Sequence, residues 1–477
     1  MKAKELFDGI CGRGIGNWED VEVRGLSDDS RRVKEGYAFF CRRGESFDGH
    51  AYAEDALRRK ASLIVAEKPL PLSVPQLVVP SVLSAAQLAL RRFYNHADAY
   101  LFKVGVTGTN GKTTVSSIVR HGFEALGYPF GLIGTVSYFD GKRWIKPKNT
   151  TPGLFQLWEI MGAMRDNGLY GFSVEVSSHA LKQRRIGDVR FDVSVFTNLS
   201  RDHLDYHKSM EDYFSSKLLL FREHTEGFCV LNGDDNWGRR IASEVRQPVV
   251  FYGIESGDIR GRIVDASLSG MVIEVDGMRA RTLLLGEHNL YNILAAYSVF
   301  AVWGMGKEFL KEALPEFQPV KGRLERIEKD GITVFVDYAH TPDALFSVLK
   351  VLKPLASRRL ITVFGCGGDR DKGKRPEMGR VASLFSDVVV VTSDNPRSED
   401  PGKIIEDILR GIEGVECVVI PDRRSAIFEA LSMAERGDVI LVAGKGHEDY
   451  QIVGDRVIHF DDVEVVKEAL GIVDEAG

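Results

Sequence analysis

Short apolar runs alternate along this chain with longer stretches in which apolar residues return every three or four positions. Residues 101–106 are apolar and β-branched, the composition of a buried parallel strand. Beyond a glycine-rich turn, Val115, Ile118, Val119, Phe123 and Leu126 recur at helical spacing, and Gly127 supplies a left-handed stop. Further strands are expected at 62–66, 76–79, 172–177, 192–197 and 228–232, and helices at 51–60, 82–96 and 290–303. Residues 271–285 break the alternation and predict a hairpin turning at Asp276-Gly277. After 323 the alternation resumes, with strands at 333–336, 360–364, 388–391 and 439–442. The fold class is therefore α/β, in three domains: 1–100, a central P-loop-type domain at 101–322 with a mostly parallel sheet, and a C-terminal Rossmann-like domain at 323–477. Gln318 to Gly322 is the expected hinge.

Bulk properties narrow the function classes. A chain of 477 residues with 44% hydrophobic and 27% charged residues suits about three globular domains. A net charge of −6 gives no electrostatic reason to expect nucleic acid or an anionic membrane as partner. Five scattered cysteines without CxxC spacing argue for a reducing compartment, and no stretch is long enough to span a bilayer. The expectation is a cytoplasmic protein.

The turn Gly108-Thr109-Asn110-Gly111-Lys112-Thr113-Thr114 joins a strand to a helix, so its N–H groups and the helix start converge on one point. Such a point binds phosphate. Lys112 can reach the β- and γ-phosphates and the Thr113 hydroxyl suits Mg²⁺. The common P-loop has glycine five residues before Gly111; Val106 stands there, so this loop is a shortened variant.

Other polar clusters follow apolar strands. Glu175-Val176-Ser177-Ser178-His179 is one, and Thr197-Asn198-Leu199-Ser200-Arg201-Asp202-His203-Leu204-Asp205-Tyr206-His207 another. His203 and His207 lie four apart, zinc-ligand spacing on a helix, although two histidines in a polar loop also hydrogen-bond their surroundings. Lys217, taken alone, reads as a solvated helix lysine. Gly365-Cys366-Gly367-Gly368-Asp369-Arg370-Asp371 resembles a dinucleotide turn, but Arg370 replaces its third glycine, which excludes NAD. Asp394-Asn395-Pro396-Arg397 precedes Asp400-Pro401, an N-cap and first helical residue, and Arg397 there suits a carboxylate.

Six motifs in unbroken order resemble the Mur ligases of peptidoglycan synthesis: the 108–114 loop, 175–179, 197–207, Asp337-Tyr338-Ala339-His340-Thr341-Pro342, 394–397 and Gly444-Lys445-Gly446-His447-Glu448. The resemblance runs from about residue 26 to about 460. It implies an ATP-dependent ligase that phosphorylates a D-glutamate side-chain carboxylate and lets an amine displace the phosphate. The implied substrates are the nucleotide dipeptide UDP-MurNAc-L-Ala-D-Glu and meso-diaminopimelate, with ATP and Mg²⁺, and a monomer without nucleic-acid or membrane partners.

By this resemblance Gly108, Thr109, Asn110, Gly111, Lys112, Thr113, Thr114, Asn292, Arg323 and Asp337 hold ATP. Thr113, Glu175, His203 and Lys217 serve Mg²⁺, which displaces zinc; Lys217 is implied to be a carbamate (N6-carboxylysine), and Lys112, Lys217 and His203 to be catalytic. Leu26, Ser30, Glu45, Ser46, Phe47, Asn149, Thr150, Thr151, Ser177, Gln183 and Arg185 would meet the nucleotide dipeptide. Arg370, Asp394, Asn395, Pro396, Arg397, Gly444 and Glu448 would meet the diaminopimelate. A lysine-adding homologue, a folylpolyglutamate synthetase-like ligase and a non-catalytic nucleotide sensor are the alternatives. The synthetase usually has serine where Thr113-Thr114 stands and lacks the 394–397 motif, and retention of Lys112, Glu175, His203 and Lys217 argues against the sensor.

Overall fold

The structure is a computed structural model that describes residues 1–44, 47–203 and 206–472. Glu45 and Ser46, and Leu204 and Asp205 of the second polar cluster, lie outside the described residues. The chain divides into two compact units. The first comprises Met1–Gly105, Gly127–Ser194 and Leu219–Gly227; the second comprises Val106–Leu126, Val195–Leu218 and Phe228–Gly477.

The first unit opens with a five-stranded sheet. Gly25–Ser27, Tyr37–Phe40, Leu63–Ala66 and Gln76–Val78 pair in parallel, and Arg13–Ile15 closes the edge antiparallel to Gln76–Val78. Sequence pattern gives only two of these five, Leu63–Ala66 and Gln76–Val78; Gly25–Ser27 and Arg13–Ile15 mix glycine with polar residues and show no apolar run. Phe39, Ile64 and Ala66 bury their side chains with Ala53 and Ala56 of the helix Ala53–Arg58. The same unit holds the parallel pair Phe130–Ile133 and Gly171–Glu175, extended antiparallel by Tyr138–Phe139 and Trp144–Ile145.

In the second unit the phosphate-loop helix Lys112–Ala125 packs on the helix Glu287–Trp303, with Phe123 and Phe300 rings 4.8 Å apart. The expected hairpin is present, and its turn residues Asp276 and Gly277 both have positive φ, the type I′ requirement. It is one edge of a larger antiparallel ribbon, since Gly270–Val275 also pairs with Ile259–Ser267. That strand eluded the sequence reading because its outward residues, among them Arg260, Arg262 and Asp265, interrupt the apolar run.

A six-stranded sheet completes this unit. Ile332–Asp337, Val439–Ala443, Leu360–Phe364, Val388–Val391 and Glu416–Val419 run parallel in that spatial order, with Glu325–Lys329 antiparallel at the edge. The first four read as apolar runs because both faces are covered. Every polar motif of this region leaves a strand at its carboxyl end, where open α/β sheets place their ligands. Among the described residues no helix is long and apolar enough to cross a membrane.

Candidate active site

Strand Phe102–Thr107 delivers the chain into the loop, and Gly111 caps helix Lys112–Ala125 at φ +87°. A side chain on Gly108 would overlap the Thr197 hydroxyl, and one on Gly111 would overlap Asn292 Oδ1, so both positions demand glycine. The second polar cluster braces this loop. Thr109 N–H donates to the Asn198 carbonyl (2.9 Å), Asn110 N–H to Asn198 Oδ1 (3.0 Å), and the Thr197 hydroxyl to the Asn110 carbonyl (2.6 Å).

Two lysines converge on one carbonyl. Lys112 Nζ donates to the carbonyls of Gly108 (2.9 Å) and Thr109 (2.8 Å), and Lys217 Nζ donates to the same Gly108 carbonyl (2.8 Å). Lys217 is only 1% exposed, which overturns its reading as a solvated helix lysine. The Tyr213 ring lies 4.5 Å beneath its ammonium, and the Tyr213 hydroxyl reaches Thr109 Oγ1 at 3.3 Å. Burial first, and the charge of Lys112 second, push the Lys217 pKa well below its ordinary value.

Arg323, just past the hinge, extends Nη2 to within 3.5 Å of Thr113 Oγ1 and lies over the Tyr338 ring, while its Nε is buried without a partner. A buried, unanswered N–H beside a glycine loop suits an anionic ligand. Asn292 donates to Asn289 Oδ1 (2.9 Å), and Asp337 accepts from the N–H groups of Leu324 (2.7 Å) and Ala339 (2.8 Å). Asp337 thereby fixes the backbone on either side of it as well as facing Arg323, although burial raises its pKa.

The histidine pair does not lie on a helix. His203 is exposed at φ +54° and precedes helix Met210–Glu223; His207 is buried against the Tyr213 ring at 4.9 Å. The zinc spacing therefore has no helical face to act on. Asp202 stands 3.4 Å from His203 Nε2. Burial works to raise the Asp202 pKa, but His203, His340 and Lys374 together hold it below the usual carboxylate range.

In the first unit, Glu175 ends its strand almost fully buried and accepts from Thr135 N–H (2.7 Å) and the Thr135 hydroxyl (2.9 Å). The Thr135 and Thr150 hydroxyls pair at 3.1 Å. Thr151 Oγ1 donates to the Glu175 carbonyl (2.7 Å) and accepts from Ser177 N–H (3.0 Å). Arg185 grips Gln183 Oε1 through Nε and Nη2 and reaches the Thr151 carbonyl at 3.4 Å; the Asn149 carbonyl accepts from the Tyr138 hydroxyl. Thr150, through Thr135, and Thr151, Ser177, Gln183 and Arg185, through Thr151, thus join one network around Glu175, while Asn149 meets Tyr138. Leu26 and Ser30 are buried in the N-terminal sheet region and Phe47 is exposed.

The last cluster gathers Asp394, Asn395, Arg397, Gly444 and Glu448. Asn395 Nδ2 donates to Glu448 Oε2 (2.8 Å), and Asn395 Oδ1 accepts from Ile452 N–H (2.9 Å). Arg397, at φ +53°, donates from Nη1 to the Gly368 carbonyl (2.8 Å). A Cβ on Gly444 would stand 2.7 Å from Asp394 Oδ2. One on Gly367 would lie 2.9 Å from Arg397 Nη1 and 3.8 Å from the Arg370 side chain. Pro396 is buried and Arg370 exposed. Burial, then Asp394, raises the Glu448 pKa, and Lys445, with a fully buried side chain, offsets this from 3.2 Å. Asp400 caps helix Pro401–Leu409 through Lys403 N–H, as its sequence predicts. The sequence reading missed Lys445, Tyr213 and Lys374. The first two lie in or beside quoted motifs; Lys374 carries no local signal at all.

Comparison with known proteins is decisive. The Mur ligase catalytic domain matches residues 22–94, the Mur ligase middle domain 106–300 and the Mur ligase glutamate ligase domain 322–446. The UDP-N-acetylmuramoyl-L-alanyl-D-glutamate–2,6-diaminopimelate ligase of Geobacter metallireducens is 44% identical over 501 residues, covering 98% of each chain. The chain belongs to the Mur ligase family. The enzyme of the same name from Geobacillus kaustophilus is 42% identical to this Mur ligase, over 98% of its length and 99% of that protein. A solved structure of a ligase with this name superposes on it with a TM-score of 0.71 at 32% identity, covering 99% of both chains.

Proposed function

We propose that this Mur ligase is an ATP-dependent, ADP-forming amide ligase that joins meso-diaminopimelate to the D-glutamate side chain of UDP-MurNAc-L-Ala-D-Glu. The observation that carries the reading is the meeting of Lys112 and Lys217 on the Gly108 carbonyl, in a chain alike over its length to ligases named for this reaction. Lys112 and the N-terminus of helix Lys112–Ala125 stand at the same glycine turn, an arrangement that suits a triphosphate. Transfer of the γ-phosphoryl group to a carboxylate brings two anions together, and cations must stand between them. Lys112 and Arg323, which reaches within 3.5 Å of Thr113 Oγ1, are the candidates for this role. The acyl phosphate then gives its carbonyl carbon to the amine, and phosphate leaves.

Mg²⁺ suits the Thr113 hydroxyl, a hard oxygen donor at the glycine turn, and this ion takes few protein ligands beside substrate phosphates. His203 is a second candidate in the same unit. When bound, the ion would offset charge between triphosphate and carboxylate. Lys217 suits carbamylation, because burial favours the neutral amine, the form that adds CO₂, and the resulting anion would turn repulsion by Lys112 into attraction.

The nucleotide dipeptide is assigned to the network around Thr151, Ser177 and Arg185, with Leu26, Ser30 and Phe47. The amino acid is assigned to the cluster from Asp394 to Arg397 with Arg370, Gly444 and Glu448. Five free cysteines fit a reducing cytoplasm, where we place the enzyme as a monomer. The test is ADP release and product mass with the nucleotide dipeptide and, in turn, diaminopimelate, lysine and ornithine. Turnover confined to diaminopimelate is expected. Turnover with lysine alone, or ADP release indifferent to every amino acid, would overturn the assignment.

A further inference from the structure

Behind the amino-acid cluster lies an ion pair with no access to solvent. Arg423 Nε and Nη2 meet Asp462 Oδ1 and Oδ2 at 2.8 and 2.7 Å, and both side chains are 0% exposed. Arg423 opens helix Arg423–Ser432 and Asp462 opens helix Asp462–Ala469. The same guanidinium has two more acceptors: the Ala443 carbonyl at 3.0 Å and the Ser393 carbonyl at 3.4 Å. Ala443 ends strand Val439–Ala443 immediately before Gly444, and Ser393 immediately precedes Asp394. One planar fork therefore fixes the residues that launch both halves of the cluster.

Stability alone is a poor reason to keep such a pair. Replacing a buried ion pair by apolar side chains of similar volume is often neutral or stabilising. The strands it touches are already paired along their length, Leu360–Phe364 with Val439–Ala443 and Leu360–Phe364 with Val388–Val391. What the strand ladder does not fix is the direction in which the chain leaves. Gly444 at φ +117° and Arg397 at φ +53° show how sharply both segments turn.

We propose that Arg423, locked by Asp462, is a positioning residue for the amino-acid pocket, setting the spacing of Asp394 and Asn395 against Gly444 and Glu448. This rests on the reading that those residues receive the amino acid. A misplacement of about 1 Å at a reacting group can cost roughly 10²-fold, so a fork that holds two carbonyls together has kinetic value out of proportion to its stability. Lysine cannot substitute, because a point charge cannot span two carbonyls and both carboxylate oxygens.

The experiment compares Arg423→Lys, Asp462→Asn and the double variant Arg423→Met with Asp462→Leu, each checked by thermal melting. The wild type is first run with diaminopimelate, lysine and ornithine, and the variants with whichever it uses. The expected result is an amino-acid KM raised by about 10-fold or more in all three variants, with the KM for ATP and for the nucleotide dipeptide within about 2-fold. The apolar double variant should melt like the wild type and still show the raised KM, which a merely structural role would not produce. Unchanged amino-acid KM values, or equal rises for ATP, would overturn the proposal while leaving the pocket assignment standing. A wild type that uses no amino acid would overturn both.

Discussion

The glycine loop and the cluster proposed for the amino acid hold their cations in different ways. At the loop, Lys112 and Lys217 donate to a shared carbonyl, and Asp202 is only a minor counterweight to Lys217. In and behind that cluster, Lys445 meets Glu448, Arg423 meets Asp462, and Arg375, which also donates to the Gly367 carbonyl at 3.4 Å, meets both Glu399 and Asp407. A carboxylate cancels a cation's charge and a carbonyl dipole does not. We propose that the first region meets a polyanion and that the second, a balanced scaffold, reads shape and the placing of single charges.

Four substitutions would break or sharpen this contrast. Lys112→Ala should abolish turnover, a loss on the order of 10³-fold or more, because an electrostatic contact to the transferred group is removed. A folded variant with near-normal kcat would end the claim that the loop's field does chemistry. Lys217→Ala should follow with a loss of roughly 10²-fold or more, the scale of a lost group that holds the reacting charges. Growth of the wild type in ¹³C-bicarbonate should give a carbamate carbon signal by NMR that Lys217→Ala lacks; its absence from active enzyme would return Lys217 to a plain buried amine.

Arg397→Ala should cost about 2–4 kcal/mol in kcat/KM for diaminopimelate, the scale of a lost charged hydrogen-bond pair, and much less for lysine. Equal losses for both amino acids would mean that the pocket does not read the distal carboxylate. Smallest is Glu399→Gln. Hydrogen bonds from Arg375 hold the Glu399 pKa down to about 2, so its contribution is complete above its ordinary value of 4.5 and is lost as pH falls toward 2. The variant should melt a few degrees below the wild type at pH 7, and the gap should close through that acid window. A gap that persisted at pH 2 would show that packing, and not charge, is what Glu399 supplies.

Local chemistry makes the phosphate loop legible in the residues themselves. Glycine at 108 and 111, the strand ahead of them and the helix after are consequences of neighbouring residues, and the tertiary fold keeps all of them. The strands of the C-terminal sheet are equally legible, since a strand buried on both faces is an unbroken apolar run. Weakest is the N-terminal sheet, whose strands Gly25–Ser27 and Arg13–Ile15 mix glycine with polar residues and show no apolar run. The ribbon strand Ile259–Ser267 is hidden by its charged outer face, which only pairing with Gly270–Val275 explains.

By itself, then, the sequence determined the alternating α/β order, the phosphate loop and its helix, the strands of the last sheet and the N-cap at Asp400, because each follows from interactions a few residues apart. Tertiary structure decided the rest. It buried Lys217, whose surroundings in sequence are those of any helix lysine, by bringing Gly108 from 109 residues away to meet it. It placed His203 and His207 before helix Met210–Glu223 begins, joined by a hydrogen bond from His207 N–H to the His203 carbonyl (2.8 Å), where the helical spacing read from the sequence does not apply. It joined Arg423 to Asp462 across 39 residues and to carbonyls 20 and 30 residues away. Burial, and the partner that makes burial tolerable, are properties of three-dimensional neighbours, and no local pattern along the chain encodes them.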